Sequence, residues 1–381
     1  MPSTPAPWTD ESIIQQHIPL SEESCPTLSA PLKRVLRRIG DGHNPAANEI
    51  ASAAHEITGL PGSPARDVAI AWLASAIMTA GPTPEEVTAL LQGATQRDGL
   101  RATSVDEVDG RPVVVVAGSG KKSLPSFNIS TPAALIAATC GANVVKMGSH
   151  ATSSPTGSRD LAASLSIPES VSASGILEQL RKCSFAFVPI ESTVPSLNRV
   201  YGRRFHTVTP FSFGLAALAC PLRPYATVFG LSHPKVDVAT QVLTNFGFSR
   251  VHATASVNES TGQWADEFAM GSKTVLATLY EHNTVNTVSH KSANFVPVEP
   301  APPPTGAQSP HRRPTGVFTE IITGQAAESR TNVVTAGTGL ILHAAGIEPT
   351  IQQGQKRAHK ALEEGQPHRL LEQLTGVGHD H

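Results

Sequence analysis

The run VVVVA, Val113 to Ala117, followed at once by GSGKKSLPSFNIST, Gly118 to Thr131, constrains this chain more than any other stretch. An unbroken series of β-branched residues suits a strand buried on both faces. Such a strand calls for a mostly parallel sheet covered by helices. Glycine ends the strand. Gly118, Ser119 and Gly120 let the backbone approach an anion closely, with its amides as donors. Asn128, Ser130 and Thr131 stand before the apolar stretch PAALIAATCG, with Pro132 at its first turn. Amides and hydroxyls at a helix start attract an anion. Strand, glycine turn and helix together read as a phosphate loop, and two adjacent cations, Lys121 and Lys122, sit in its middle.

Strand and helix patterns alternate after residue 111. NVVKMG, SFAFVPI, YATVFGL and RVHATAS read as strands; SRDLAASLS and PKVDVATQVLTNFG read as helices. That alternation predicts an α/β domain, its mostly parallel sheet flanked by helices. Before it, PLKRVLRRIGDG, ANEIASAAHEITG, SPARDVAIAWLASAIMTAG and TPEEVTALLQGATQR read as a small helical domain. Ser63 and Thr83 cap two of these helices, with Pro64 and Pro84 at the first turns. The expected organisation is an arm over 1–28 and a small N-terminal helical domain over 29–105, with helices around 172–205 as candidates to join it. A larger α/β domain over 106–375 and a tail over 376–381 complete it. A Pro-rich connection, around 298–315, precedes two late helical regions.

Composition excludes little. The 381 residues carry a formal net charge of −2, which gives no global pull towards nucleic acid or membrane. No apolar stretch is long enough to span a bilayer. The N-terminal segment lacks the basic start and apolar run of a secretory signal, so a cytoplasmic location is expected. The four cysteines, Cys25, Cys140, Cys183 and Cys220, form no C-x-x-C pair and read as buried fillers.

The motifs in order resemble the anthranilate phosphoribosyltransferase family, whose fold is shared with pyrimidine nucleoside phosphorylases. The family loop reads roughly GTGGDG-x-x-TFNIST, against GSGKKSLPSFNIST here. Its KHGNR-x-x-SS-x-x-GS-x-D corresponds to KMGSHATSSPTGSRD, Lys146 to Asp160, and its Asp-Glu pair to Asp266-Glu267 in QWADEFAMG. TPEEVTALLQGATQR and ESRTNVVTAGTGLILHAAG resemble the family's helical domain and late helix. The likeness runs over about residues 30 to 375.

The resemblance implies a phosphoribosyltransferase with its site in a cleft between the two domains. The donor would be 5-phosphoribosyl 1-diphosphate (PRPP), held by Gly118, Ser119, Gly120, Lys121, Lys122, Ser126, Asn128, Ser130, Thr131, Lys146 and Ser154. Mg²⁺ would sit on Ser130, Asp266 and Glu267 as oxygen donors. Met147, Ser149, His150 and the arginines Arg203 and Arg204 would face a small aromatic acceptor. No general base is required, since positioning and electrostatics suffice for an ionising sugar. A homodimer through the helical domain is implied, with AIAWLASAIM as a candidate face.

Plainer readings stand beside these. An adjacent Asp-Glu pair is most often a solvated surface. Ser158 reads as the cap of DLAASLS, His150 and His206 as ordinary polar residues, and His379 and His381 as an inert tail.

Departures from the family pattern shape the expected acceptor. An aspartate beside the donor is replaced within Lys121-Lys122, KHGN has become Lys146-Met147-Gly148-Ser149, and R-T-x-F-N-x-L-G-P-L-x-N-P reads TVTPFSFGLAALACP. The expectation is an acceptor other than anthranilate, a small aromatic or heteroaromatic acid or amine of specialised biosynthesis. Alternatives are an ordinary anthranilate phosphoribosyltransferase of tryptophan biosynthesis and, further off, a nucleoside phosphorylase. From another class comes a silent homologue that binds nucleic acid through Lys121, Lys122, Arg199, Arg203 and Arg204; the balanced net charge weighs against it.

Overall fold

The computed structural model describes residues 28–152, 156–279, 285–291 and 314–376. Ser154, Cys25, His379 and His381 lie outside the described residues. So do the expected arm, tail and Pro-rich connection, apart from their end residues.

Four helices open the fold: α1 (Ala30–Gly40), α2 (Ala47–Gly59), α3 (Pro64–Ala80) and α4 (Pro84–Thr95). Local chemistry starts them. The Ser63 hydroxyl accepts from the Arg66 amide at 3.2 Å, and Thr83 with Glu86 forms a reciprocal cap. One face of α3 buries Ala69, Ile70, Leu73 and Ile77. Its other face leaves Val68 58% and Trp72 46% exposed.

Two short strands, β1 (Thr103–Val105) and β2 (Glu107–Val108), lead into β3 (Arg111–Gly118), the middle one of the main sheet's five parallel strands. There follow α5 (Ser130–Thr139), β4 (Asn143–Gly148), α6 (Ser158–Ser164), α7 (Ala173–Cys183) and β5 (Phe185–Pro189). Next come α8 (Ile190–Thr193), α9 (Pro195–Tyr201), α10 (Leu215–Leu218), β6 (Leu222–Pro224), β7 (Ala226–Gly230) and α11 (Val236–Asn245). Then β8 (Val251–Asn258), β9 (Gln263–Ala265), β10 (Lys273–Leu279) and β11 (Val285–Lys291) finish the sheet. Helices α12 (Pro314–Ile322), α13 (Glu328–Ala344), α14 (Ile351–Glu363) and α15 (Gln366–Thr375) close the chain.

The sheet order is β11-β10-β8-β7-β3-β4-β5. Strands β8, β7, β3, β4 and β5 are mutually parallel. Strands β10 and β11 add an antiparallel edge that no apolar run announced. Alternation along β3 divides the interior in two. Val113, Val115 and Ala117 join a core shared with α1–α4, while Val114 and Val116 join one built with α5 and α12–α15. Each fully buried valine contributes about 1.5–3 kcal/mol relative to exposure.

The segment after β5 bridges the two regions. Helix α9 packs on α2 and α4, whereas α7 lies along β4 and β5. Asp98 fixes α9 by accepting from the Ser196 and Leu197 amides at 2.6 and 3.1 Å. Cys140, Cys183 and Cys220 are free thiols and buried. No described helix is long and apolar enough to cross a membrane.

Candidate active site

Strands β3, β4, β5 and β7 end at Gly118, Gly148, Pro189 and Gly230, all on one edge of the parallel sheet. Chain order reverses between β3 and β7, and a crevice at the carboxyl ends of such strands is the place where α/β sheets bind ligands. Gly118 and Gly230 are register partners there. A Cβ on Gly118 would come within 2.9 Å of Asp266 Oδ2, and one on Gly230 within 1.9 Å of the Asp266 carbonyl oxygen. Two glycines side by side thus let the Asp266 segment lie flat across the strand ends.

Hydrogen bonds lace that segment to the loop. The Gly120 amide donates to Asp266 Oδ2 at 2.7 Å. Ser123 and Leu124 amides donate to the Trp264 carbonyl at 2.9 and 3.0 Å. Behind it, Ser256 Oγ donates to the Glu267 carbonyl at 2.7 Å. Gly120 and Lys121 both take left-handed backbone, φ +60° and +57°, natural for the glycine and strained for the lysine. This turn sends the adjacent lysines apart. Lys122 Nζ donates to the Phe127 carbonyl at 3.2 Å. Lys121 Nζ meets the Tyr201 hydroxyl and lies 4.0 Å from the centre of its ring.

Two cavities adjoin at Gly118, Gly120, Lys121, Ser149, His150, Thr152 and Ile190. The smaller, about 80 Å³, is polar and holds Lys122, Asn128, Ser130, Lys146, Asp266 and Glu267. Lys146 is buried on β4, and Nζ donates to the Met147 carbonyl at 2.6 Å. Burial pulls its proton affinity down to about 8, against the attraction of Glu267 and Asp266. Burial pushes Glu267 up to about 7, against the attraction of Lys122 and Lys146 and a hydrogen bond from the Ser130 amide. Both partners are therefore pressed towards neutrality. Phosphates beside the lysines and a cation beside the carboxylates would relieve both.

Asp266, Glu267 and the Ser130 hydroxyl are hard oxygen donors on one wall. Among the described residues no group of three or more His, Cys, Asp or Glu side chains forms a metal centre. The wall fits an ion such as Mg²⁺ that takes its other ligands from water and substrate phosphates.

The larger cavity, about 380 Å³, has an aromatic wall of Tyr201, Phe205 and Phe211, with Asn198 and Arg203 beside it. Tyr201 stacks on Phe205 at 5.2 Å between ring centres. Arg203, like Lys121, is a non-glycine residue in left-handed backbone, φ +59°. On the opposite side, His150 Nδ1 bonds Asp160 Oδ1 at 2.5 Å, and Asp160 Oδ2 accepts from the Ala151 and Gly157 amides, each at 2.9 Å. Burial raises the Asp160 pKa, but the bonds from His150, Gly157 and Ala151 outweigh it and hold the carboxyl below its usual range. Arg159 makes a two-pronged bond to Glu169, 2.8 Å at each prong.

Most residues singled out in the sequence line these cavities: Gly118, Ser119, Gly120, Lys121, Lys122, Asn128, Ser130, Lys146, Met147, Ser149, His150, Arg203, Asp266 and Glu267. Others do not. Ser126 turns its hydroxyl to the Phe127 carbonyl at 3.0 Å. Thr131 is 1% exposed, one residue too far into α5 to face the crevice. Arg204 pairs with Asp67 at 3.4 Å, away from the cavity. Ser158 does line the smaller cavity but is no helix cap: its hydroxyl accepts from the Ser149 amide at 3.3 Å, and Gly157 takes the cap position. His206 bonds the Thr152 carbonyl at 2.8 Å. Tyr201, Phe205, Phe211 and Asn198 were not foreseen, although Tyr201 and Phe205 flank the arginines in YGRRF.

Comparison with known proteins gives a consistent result. The model of the glycosyl transferase family, a/b domain, matches residues 110–368. An anthranilate phosphoribosyltransferase of Synechococcus sp. (strain CC9311) is 27% identical over 321 residues, 79% of this chain and 88% of that protein. The anthranilate phosphoribosyltransferase of Thermus thermophilus superposes with a TM-score of 0.67 at 23% identity, over 90% of this chain and 98% of that one. The Saccharomyces cerevisiae enzyme, in complex with PRPP and Mg, gives 0.68 at 14% identity, over 92% and 98%. With its strand-end glycines, carboxylate pair and helices α12–α14 inside the matched residues, the chain belongs to the glycosyl transferase family defined by this a/b domain, the family of the anthranilate phosphoribosyltransferases.

Proposed function

We propose that this protein transfers the 5-phosphoribosyl group of PRPP to an aromatic amino acid of the anthranilate class, with Mg²⁺ assisting loss of diphosphate. One observation carries the reading: a polar cavity of lysines, carboxylates and loop amides opens directly into an aromatic one bearing Arg203. Lys122, Lys146 and the loop amides would hold the donor's phosphates. Asp266, Glu267 and Ser130 would hold Mg²⁺, which supplies charge neutralisation to the leaving diphosphate. The stacked pair Tyr201 and Phe205 would offer an aromatic face to the acceptor ring, and Arg203 would hold its carboxylate. Attack at C1 would then proceed across the junction of the cavities. The outward face of α3, with Val68 and Trp72, is the proposed surface of a homodimer.

The relatives favour anthranilate itself over the different acceptor that the sequence departures suggested. The second reading, another aromatic acid or amine, keeps support from Lys121, which lines both cavities; Met147, expected on the acceptor side, lines the smaller polar cavity instead. Calorimetric titration of PRPP with and without Mg²⁺ tests the donor. Metal-dependent binding is expected, and no binding in either condition would overturn the reading. Anthranilate turnover above about 1 s⁻¹, and growth rescue of a tryptophan auxotroph, would support the first acceptor over the second.

A further inference from the structure

We infer that Lys121 is a catalytic base of this enzyme, taking the proton that the acceptor's nucleophilic nitrogen releases as it bonds to C1 of the donor. This rests on the donor reading above and goes beyond it, because that reading needs no base. Position is the first argument. Lys121 lines both cavities, so its amine stands where the acceptor meets the sugar. Backbone is the second. Its left-handed φ of +57° is unfavourable for a lysine, and the side chain meets Tyr201 while that of Lys122 meets the Phe127 carbonyl. Strain of this kind persists where the surroundings over-determine it, and it clusters at functional sites.

The third argument is the set of neighbours. The amine contacts the Tyr201 hydroxyl, which lies 3.1 Å from Thr209 Oγ1. The amine donates to the Tyr201 hydroxyl, and in its neutral form it keeps beside that bond a lone pair that can take the acceptor's proton. The other titratable or charged groups lining the aromatic cavity are His150, Arg159, Glu191 and Arg203. Glu191 is engaged by the His150 amide at 2.7 Å and by Arg159 at 3.4 Å. Burial lowers the Lys121 pKa to about 7. A base poised there is half available at neutral pH.

The step balances. The nitrogen lone pair forms the bond to C1, and the C1–O bond breaks with its electrons leaving on diphosphate. The N–H proton passes to Lys121 Nζ, which becomes an ammonium.

Trace acetylation with acetic anhydride across pH 6–11, read by mass spectrometry, tests the amine without any acceptor. Lys121 should label with a midpoint near 7. A Lys121 midpoint above about 10 overturns the inference. In anthranilate turnover, Lys121→Met and Lys121→Arg should each lower kcat about 100-fold. KM for PRPP should stay within about threefold, and the acid limb of the wild-type pH profile should vanish. A variant keeping more than about a third of kcat, or keeping the limb, overturns it as well. Lys121→Gly, which the left-handed backbone accepts, serves if Lys121→Met misfolds. Wild-type protein that binds no PRPP would instead sink the donor reading, while the labelling still decides the state of Lys121.

Discussion

The polar half of the cleft is held by backbone, whereas the aromatic half is assembled from side chains. Loop amides, strand-end glycines and the carbonyls of Trp264 and Glu267 fix the first. Rings from α9 and the segment after it, with one arginine, form the second. Backbone tolerates little change, because a shift of one residue misplaces its neighbours. A wall of rings tolerates exchange. The donor half of such a site is therefore expected to be rigid in its demands and the acceptor half to be adaptable.

The sharpest test is Asp266→Ala. It removes the carboxylate that receives Gly120 and a proposed metal donor together, so kcat/KM should fall more than about 100-fold and Mg²⁺-dependent PRPP binding should disappear in calorimetry. Gly230→Ala comes next. Its Cβ must displace the Asp266 backbone, and PRPP affinity should drop about 10- to 100-fold while thermal melts still show a cooperative fold. If both variants spare the donor, the contrast between the halves collapses.

The arginines sharpen the other side. Arg203→Ala should raise the acceptor KM about 10-fold with PRPP affinity unchanged. Arg204→Ala, an exposed partner of Asp67, should change it less than about twofold. The smallest effect belongs to Asp160→Asn. This carboxyl has a depressed pKa, so its contribution is present above the unfolded value of about 3.8 and lost as pH falls through the folded one. The variant should melt about 2–4 °C lower at pH 7, and its deficit should shrink towards pH 3.

Much of this was legible because it is local. VVVVA announced a buried strand, and its glycine end announced an anion loop. Lys146, Asp266 and Glu267 came from short motifs whose neighbours are near in sequence. The rest depended on direction. Ser126 and Thr131 belong to the loop motif, yet a helix turns one inward and a local bond takes the other. The two lysines looked equivalent until the backbone of Gly120 and Lys121 parted them. Tyr201 and Phe211 resemble core aromatics in sequence, and their role follows only from what packs opposite. The antiparallel edge, KTVLATL with VNTVSHK, was missed because its alternation is weak and half of it is exposed.

The bond from the Gly120 amide to Asp266 spans 146 positions of the chain. During synthesis the glycine loop emerges long before the segment that closes over it. A growing chain can therefore form its first helices and strands while the proposed donor site has no floor. Donor capture must wait until β8 and β9 are in place, so truncated products should hold structure without holding PRPP.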